Sequence, residues 1–179
     1  IRVFDGERWF YGSTTDFGQI QTQIDTLAAM ATPNPQILEH PTVQAFEVHQ
    51  EEILRYSEDS ITEVSVQEKQ ALLERFLKYL DHEAIVNHSS RYVDNKTTKS
   101  FYSSKGAAIT FDRQTCGIRL AMDIVHGENK DQMMVSKGAL YFSELQGFEE
   151  FIKNEIQKNI DFVRLAEPVV PGQYAVLLS

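Results

Sequence analysis

At 179 residues, with 42% hydrophobic and 24% charged side chains, the chain can bury a sizeable core and is not compositionally disordered. Its net charge of −9 repels phosphate backbones and its lysines and arginines are scattered among acids, which argues against nucleic acid as a direct partner. The single Cys116 excludes an internal disulfide framework and a cysteine-based zinc cluster, and no apolar run approaches the roughly 20 residues that cross a bilayer, so a cytoplasmic protein without a membrane partner is expected.

In chain order, Ile1-Arg2-Val3-Phe4 reads as a strand that turns at Asp5-Gly6 into Arg8-Trp9-Phe10-Tyr11. Ser13-Thr14-Thr15-Asp16 supplies side-chain oxygens for a helix cap, and Ile20, Ile24, Leu27 and Ala28 follow at helical spacing until Pro33 and Pro35. The acidic stretch from Ile37 to Ile61 has weak periodicity and reads as a partly irregular connection, with Gln44 to His49 its extended part. Ser65 and Glu68 make a capping box for a second helix, which lines up Ala71, Leu72, Phe76, Tyr79 and Leu80 as far as Asp81.

From Ile85 to Phe142 the period changes to two. Turn signals at Asp94-Asn95-Lys96, Ser103-Ser104-Lys105-Gly106 and Gly127-Glu128-Asn129-Lys130 separate the runs Ile85–Val93, Thr97–Tyr102, Ala107–His126 and Met133–Phe142, which such short connections make antiparallel neighbours. The third run is long enough to need a bend or bulge, and Gly117 is a natural place for one. Ser143 and Glu144 then open a third helix with the stripe Phe148, Phe151, Ile152, Ile156, Ile160 and Val163, and a final strand from Tyr174 to Leu178 follows Pro168. Strands flanked by helices without regular βαβ alternation predict an α+β fold, a largely antiparallel sheet with flanking helices, in one domain over residues 1–179. The abrupt apolar beginning at Ile1 and the apolar end at Leu178 read as a truncated front and a missing continuation.

Each chemically suggestive residue also has a plain packing role. His82-Glu83 and His88 superficially suggest a zinc peptidase motif, but imidazoles at i and i+6 on a helix point about 240° apart and cannot pinch one ion. Cys116 with His126 downstream could form a nucleophile pair, whereas a lone Cys in an apolar strand is ordinarily a small core residue. Ser104-Lys105-Gly106 and Ser136-Lys137-Gly138 lack the surrounding glycines of a phosphate loop. Ser13 to Asp16 could hold an anion at a helix start, with capping as the simpler role. Trp9, Phe10 and Tyr11 could form a ligand platform, with core packing as theirs. Asn87-His88-Ser89 and Asn95-Lys96-Thr97 match a glycosylation acceptor pattern that is frequent by chance. No self-sufficient catalytic, metal or substrate-binding set emerges.

The order of the pieces says more. Ile1 to Asp16 follows the opening G-x-R-V-F-x-G-x-x-W-x-x-x-S-T-x-D without its leading Gly, and Val64-Ser65-Val66-Gln67-Glu68-Lys69, Ser103-Ser104-Lys105-Gly106, Gly117-Ile118-Arg119 and Pro168-Val169-Val170-Pro171-Gly172-Gln173-Tyr174-Ala175-Val176-Leu177-Leu178 come after it. This succession resembles the N-terminal domain of the TldD/PmbA proteins, sometimes labelled modulators of DNA gyrase, over essentially the whole chain, with Gln36 to Ser60 matching least. The resemblance implies the N-terminal part of a two-domain zinc metallopeptidase that cleaves or matures unfolded peptides as a homo- or heterodimer. It also implies that the zinc and its H-E-x-x-x-H ligands belong to a C-terminal domain beyond Ser179, leaving no cofactor for this segment. The alternative is a stand-alone binding or scaffold domain, including the non-peptidase, PmbA-like subunit of such a complex.

Overall fold

The computed structural model describes residues 1–176. The chain divides into two compact units, one of residues 1–50 with 102–108 and one of residues 51–101 with those from 109 onward.

In the first unit, β1 (Arg2–Phe4) and β2 (Trp9–Tyr11) form an antiparallel hairpin with Phe4 opposite Trp9. Its turn depends on Gly6, at φ 105°, and on Asp5, whose carboxylate accepts the backbone N–H groups of Glu7 (2.9 Å), Arg8 (2.8 Å) and Thr32 (3.2 Å). Those bonds, that from Arg8 foremost, hold the Asp5 pKa down at about 2. Asp16 caps a short 3₁₀ turn through Gly18 N–H, and this turn leads into α1 (Ile20–Met30), which buries Leu27. The segment expected to be extended from Gln44 to His49 is otherwise: α2 (Pro41–Gln44) occupies its start, and a strand, β3 (Gln50–Ile53), comes only afterwards. Pro41 at the first helical position and His40 Nδ1 accepting Thr42 N–H favour the helical turn.

The second unit is a sheet layered with helices. After β3, α3 (Val66–Leu77) starts at a complete Ser65–Glu68 capping box, whose Ser65 hydrogen bonds lower the Glu68 pKa. Three long strands follow, β4 (Ile85–Tyr102), β5 (Ala108–His126) and β6 (Asn129–Ala139), then α4 (Phe142–Gln146) and α5 (Glu149–Leu165). β5 is central and pairs with β3, β4 and β6. The β5–β6 pairing is antiparallel, but hydrogen bonds ascend from His49 O with Ala108 N–H to Arg55 N–H with the Asp112 carboxylate, so the segment at β3 runs along β5 in the same direction. The sheet is therefore mixed, within the expected α+β class.

Alternation along β5 sorts its side chains. Asp112, Gln114, Cys116, Ile118, Leu120, Met122 and Ile124 are all buried, and from Cys116 onward they join Leu72 and Phe76 of α3, Leu80, Leu145 of α4, and Ile152, Ile156, Ile160 and Val163 of α5 in one core. Each fully buried aliphatic or aromatic side chain here contributes about 1.5–3 kcal/mol. Asn129 fastens the end of α5 by donating to the Val163 (3.1 Å) and Ala166 (2.9 Å) carbonyls.

Four further sequence expectations are corrected. Asp94-Asn95-Lys96 is not a turn but the middle of β4, because Asp94 pairs with Lys69 (2.6 Å) and Lys96 donates to Tyr56 O and Ser60 Oγ (both 2.8 Å), so tertiary partners satisfy these turn-prone side chains. Gly117 marks no bulge in the β5–β6 register, which runs unbroken from Cys116 to His126; a Cβ there would come within 3.0 Å of Lys137 O, so close backbone approach is what its lack of a side chain permits. The third helix breaks at Gly147 into α4 and α5. Tyr174 to Val176 form no strand, the Tyr174 hydroxyl instead donating back to Val170 O, and the rest of that expected strand, Leu177 and Leu178, lies outside the described residues.

Candidate functional site

The other face of the sheet presents Arg113, Thr115, Arg119 and Val125 of β5, which are exposed, and β6 places Lys130, Gln132, Met134, Ser136 and Gly138 beside that face. Asn87 of β4 joins it by donating to Asp123 Oδ2 (3.1 Å), while Gln132 donates to Asp123 Oδ1 (2.9 Å). Three strands are thus cross-linked through one carboxylate.

A groove of about 690 Å³ opens on this face. Its floor and one wall are Phe111, Arg113 and Thr115 of β5 with Asn95, Thr97 and Lys99 of β4; Ile53, Arg55, Tyr56 and Leu140 close the opposite side. The groove exists because β5 exchanges one neighbour for another. β3 ends at Ile53 and β6 pairs from Cys116 onward, so the intervening residues meet irregular backbone instead of a strand. Two buried polar side chains serve that gap. Asp112, 6% exposed, accepts Arg55 N–H (2.8 Å) and Tyr56 N–H (3.0 Å) on its two oxygens. Gln114, 2% exposed, accepts Ile61 N–H (3.1 Å) and donates to Asp59 O and Leu140 O (both 2.9 Å). Backbone polar groups that would otherwise be orphaned are paired by side chains, as burial requires.

The electrostatics follow from which face each charge occupies. Asp112, the one carboxylate lining the groove among the described residues, is committed to backbone donors. Arg55, Lys99 and Arg113 are exposed and take part in no ion pair among the described residues. What remains free to a visitor is cationic guanidinium and ammonium, neutral hydroxyl and amide, and the apolar surface of Ile53, Phe111 and Leu140.

The residues singled out in the sequence fall elsewhere. His82 lies in the loop before β4, where its Nδ1 accepts Ala84 N–H (3.1 Å), while His88 is on β4 itself, so they occupy different elements. That engaged nitrogen and separation do not suit a zinc site, and no three His, Cys, Asp or Glu side chains converge on an ion among the described residues. Cys116 and His126 stand ten positions apart on β5, about 33 Å at the rise of an extended strand. Cys116 is buried, its thiol contacts Ala139 O at 3.7 Å, and burial pushes its pKa up, the reverse of what a thiolate nucleophile needs. Beside it the buried Tyr92 hydroxyl has no hydrogen-bond partner among the described residues, and burial first, then the neighbouring Cys116 and Asp94, raise its pKa.

Lys105 sits in the β4–β5 turn, where Gly106 has φ 107°, and its ammonium donates to the carbonyls of Val43 (2.8 Å), Gln44 (3.4 Å) and Phe46 (2.6 Å) as a cap for α2. Lys137 lies over Phe148 and Phe151, 4.8 Å from each ring centre, on the helix side of the sheet. Thr14 and Asp16 use their side chains on local backbone N–H groups, as caps do. Trp9 stacks on Phe4 at 4.6 Å, whereas Tyr11 is exposed beside Arg2 instead of belonging to a core.

Sequence reasoning missed Arg55, Lys99, Arg113, Asp112 and Gln114. A signal was present: within the apolar alternation that ends at Ile124, Asp112 and Gln114 occupy core positions, and polar residues there demand partners. No helix is long and apolar enough to cross a membrane among the described residues. Comparison of the chain with protein-family models, with curated proteins and with solved structures gives no match.

Proposed function

We propose that this chain is the non-catalytic N-terminal portion of a cytoplasmic TldD/PmbA-like metallopeptidase, and that it helps dimer and chamber formation and positions an extended, unfolded peptide for a zinc site held by another domain. The observation that carries the reading is β4. It is an 18-residue strand whose sheet neighbour among the described residues is β5 alone, so one long edge offers main-chain donors and acceptors that take any sequence. Its exposed Val86, Val93 and Phe101 leave apolar area for a partner strand to cover. The succession of motifs from Ile1 to Leu178 supplies the family.

Amide hydrogen exchange on the purified chain, with and without saturating unfolded peptide, tests the reading. Pairing along the edge protects alternate amides of β4, since every second N–H of an edge strand points away from the sheet. Protection confined to other elements, or none, refutes it.

The scaffold alternative shares the peptide-binding edge and differs only in chemistry. An H-E-x-x-x-H sequence encoded downstream in the parent gene supports the peptidase, and its absence supports the scaffold.

A further inference from the structure

We infer that the groove beside Arg55, Lys99 and Arg113 is a carboxylate-recognition site that selects acidic extended peptides. The inference rests on the peptide-positioning reading and deepens it by naming the substrate class. Open sheet faces ordinarily intersperse both signs of charge. Here Lys99, Arg113, Arg119 and Lys130 stand on one face, and Asp123 there is tied by two amides. The asymmetry is the more informative because the chain as a whole carries −9. At physiological salt, charges beyond about 8 Å are screened, so a bound carboxylate senses the local cations more than the distant acids.

The groove is also built. Arg55 leaves a backbone that Asp112 grips through two N–H groups, and Lys96 donates to the next carbonyl, Tyr56 O, so the approach of the guanidinium is fixed at its root. Asn95, Thr97, Tyr56 and Thr115 supply neutral hydrogen-bonding groups, and Ile53, Phe111 and Leu140 supply apolar surface for the methylenes of a Glu side chain. Arginine favours carboxylates because its planar fork can meet both oxygens. A nucleic acid would need its long-range attraction to overcome the net negative charge, which disfavours a polyphosphate more than a peptide bearing a few carboxylates.

The test is fluorescence anisotropy on the full 179-residue chain. The probes are a Glu-rich unfolded peptide, the same peptide amidated at its C-terminus, its Gln counterpart with a free C-terminus, and the amidated Gln counterpart. Inorganic phosphate and a single-stranded DNA oligomer serve as competitors. The Glu peptide is expected to bind at least about fivefold more tightly than the amidated Gln peptide, and Arg55→Gln, Lys99→Gln and Arg113→Gln each to weaken it by about three- to tenfold. Lys153→Gln on α5 should change it by less than about twofold. These side chains are exposed, so unchanged thermal melts will certify folding. If amidation removes the advantage, the recognised group is the terminal carboxylate; if it does not, it is the acidic side chains; either supports the site.

Equal binding of the amidated Gln peptide, no binding of any peptide, or displacement by phosphate or DNA more effectively than by free Glu peptide overturns it. Should the neutral peptide protect β4 from exchange while charge makes no difference, this inference fails and the peptide-positioning reading stands. Should the Glu peptide bind through the groove without protecting β4, the converse holds.

Discussion

Replacing Gln114 by Leu removes the amide that fastens irregular backbone to the point where β5 changes neighbours. Volume is nearly conserved, so no large cavity opens, and the cost comes from groups left behind. Ile61 is 1% exposed, and its N–H loses its acceptor in a place water does not reach, which costs about 1–3 kcal/mol. The carbonyls of Asp59 and Leu140 lose donors too, but both residues are exposed, so water replaces most of those bonds at about 0.5 kcal/mol each. Burying Leu in place of an amide returns roughly 1 kcal/mol. The balance is a loss of about 1–3 kcal/mol for the unit that contains β5. Because two compact units need not unfold together, global melts are read alongside exchange of the β5 amides. In urea, with a slope of about 2 kcal/mol per molar, the midpoint of that unit should fall by roughly 0.5–1.5 M. Thr115→Ala, one residue along on the open face, should stay within about 0.5 kcal/mol of the parent. A Gln114→Leu protein as stable as the Thr115→Ala control would refute the role assigned to this side chain.

Acid should act first on the β1–β2 hairpin. The Asp5 pKa lies near 2 in the folded chain against an ordinary value of 3.8, so the ionised carboxylate contributes stability that is present above about pH 4 and is lost as pH falls toward 2. Trp9, the single tryptophan, stacks on Phe4 in that hairpin, and its fluorescence should show a transition in this window that Asp5→Asn abolishes or flattens; an unchanged acid profile in the variant would count against it. Tyr92→Phe removes a buried hydroxyl that has no partner among the described residues while keeping the ring against Phe142, 6.0 Å away centre to centre. Its melting temperature should rise or stay within about 2 °C of the parent, and a fall beyond about 4 °C would reveal a hydrogen bond worth keeping.

The elements that sequence pattern located well are those whose signal is local. The Ser65–Glu68 box and the Leu72, Phe76, Leu80 stripe fix α3 within a few residues, and Asp5-Gly6 fixes the first hairpin turn, because both depend on contacts between residues three or four apart. The misplaced features depend on distant chain. Asp94-Asn95-Lys96 has turn composition, yet Lys69, Tyr56 and Ser60 supply the partners that let it remain extended. Pattern likewise could not foresee that α2 would displace the expected extended segment, since its carbonyls are capped by Lys105 from about 60 positions away in sequence.

The candidate site was harder to read for a related reason. Arg55, Lys99 and Arg113 are separated by 44 and 14 positions, and only the pairing of β4 with β5, together with the backbone grip of Asp112, puts them on one groove. In linear order Arg55 stands among Glu51, Glu52 and Glu58, so a sliding view of charge averages its stretch to acidic and sets it apart from the basic run that holds Lys96, Lys99, Lys105 and Arg113. Strand alternation undoes that average. Along β5, Arg113, Thr115 and Arg119 share the odd positions while Asp112 is turned inward at an even one and spends its charge on Arg55 and Tyr56 N–H. Shifting the alternation by one residue would exchange those faces, exposing the carboxylate and burying the cations. The apolar residues Ile118, Leu120, Met122 and Ile124 forbid that shift, because it would expose the core that α3 and α5 cover. The same hydrophobic register that specifies the fold therefore determines the sign of charge on its open face.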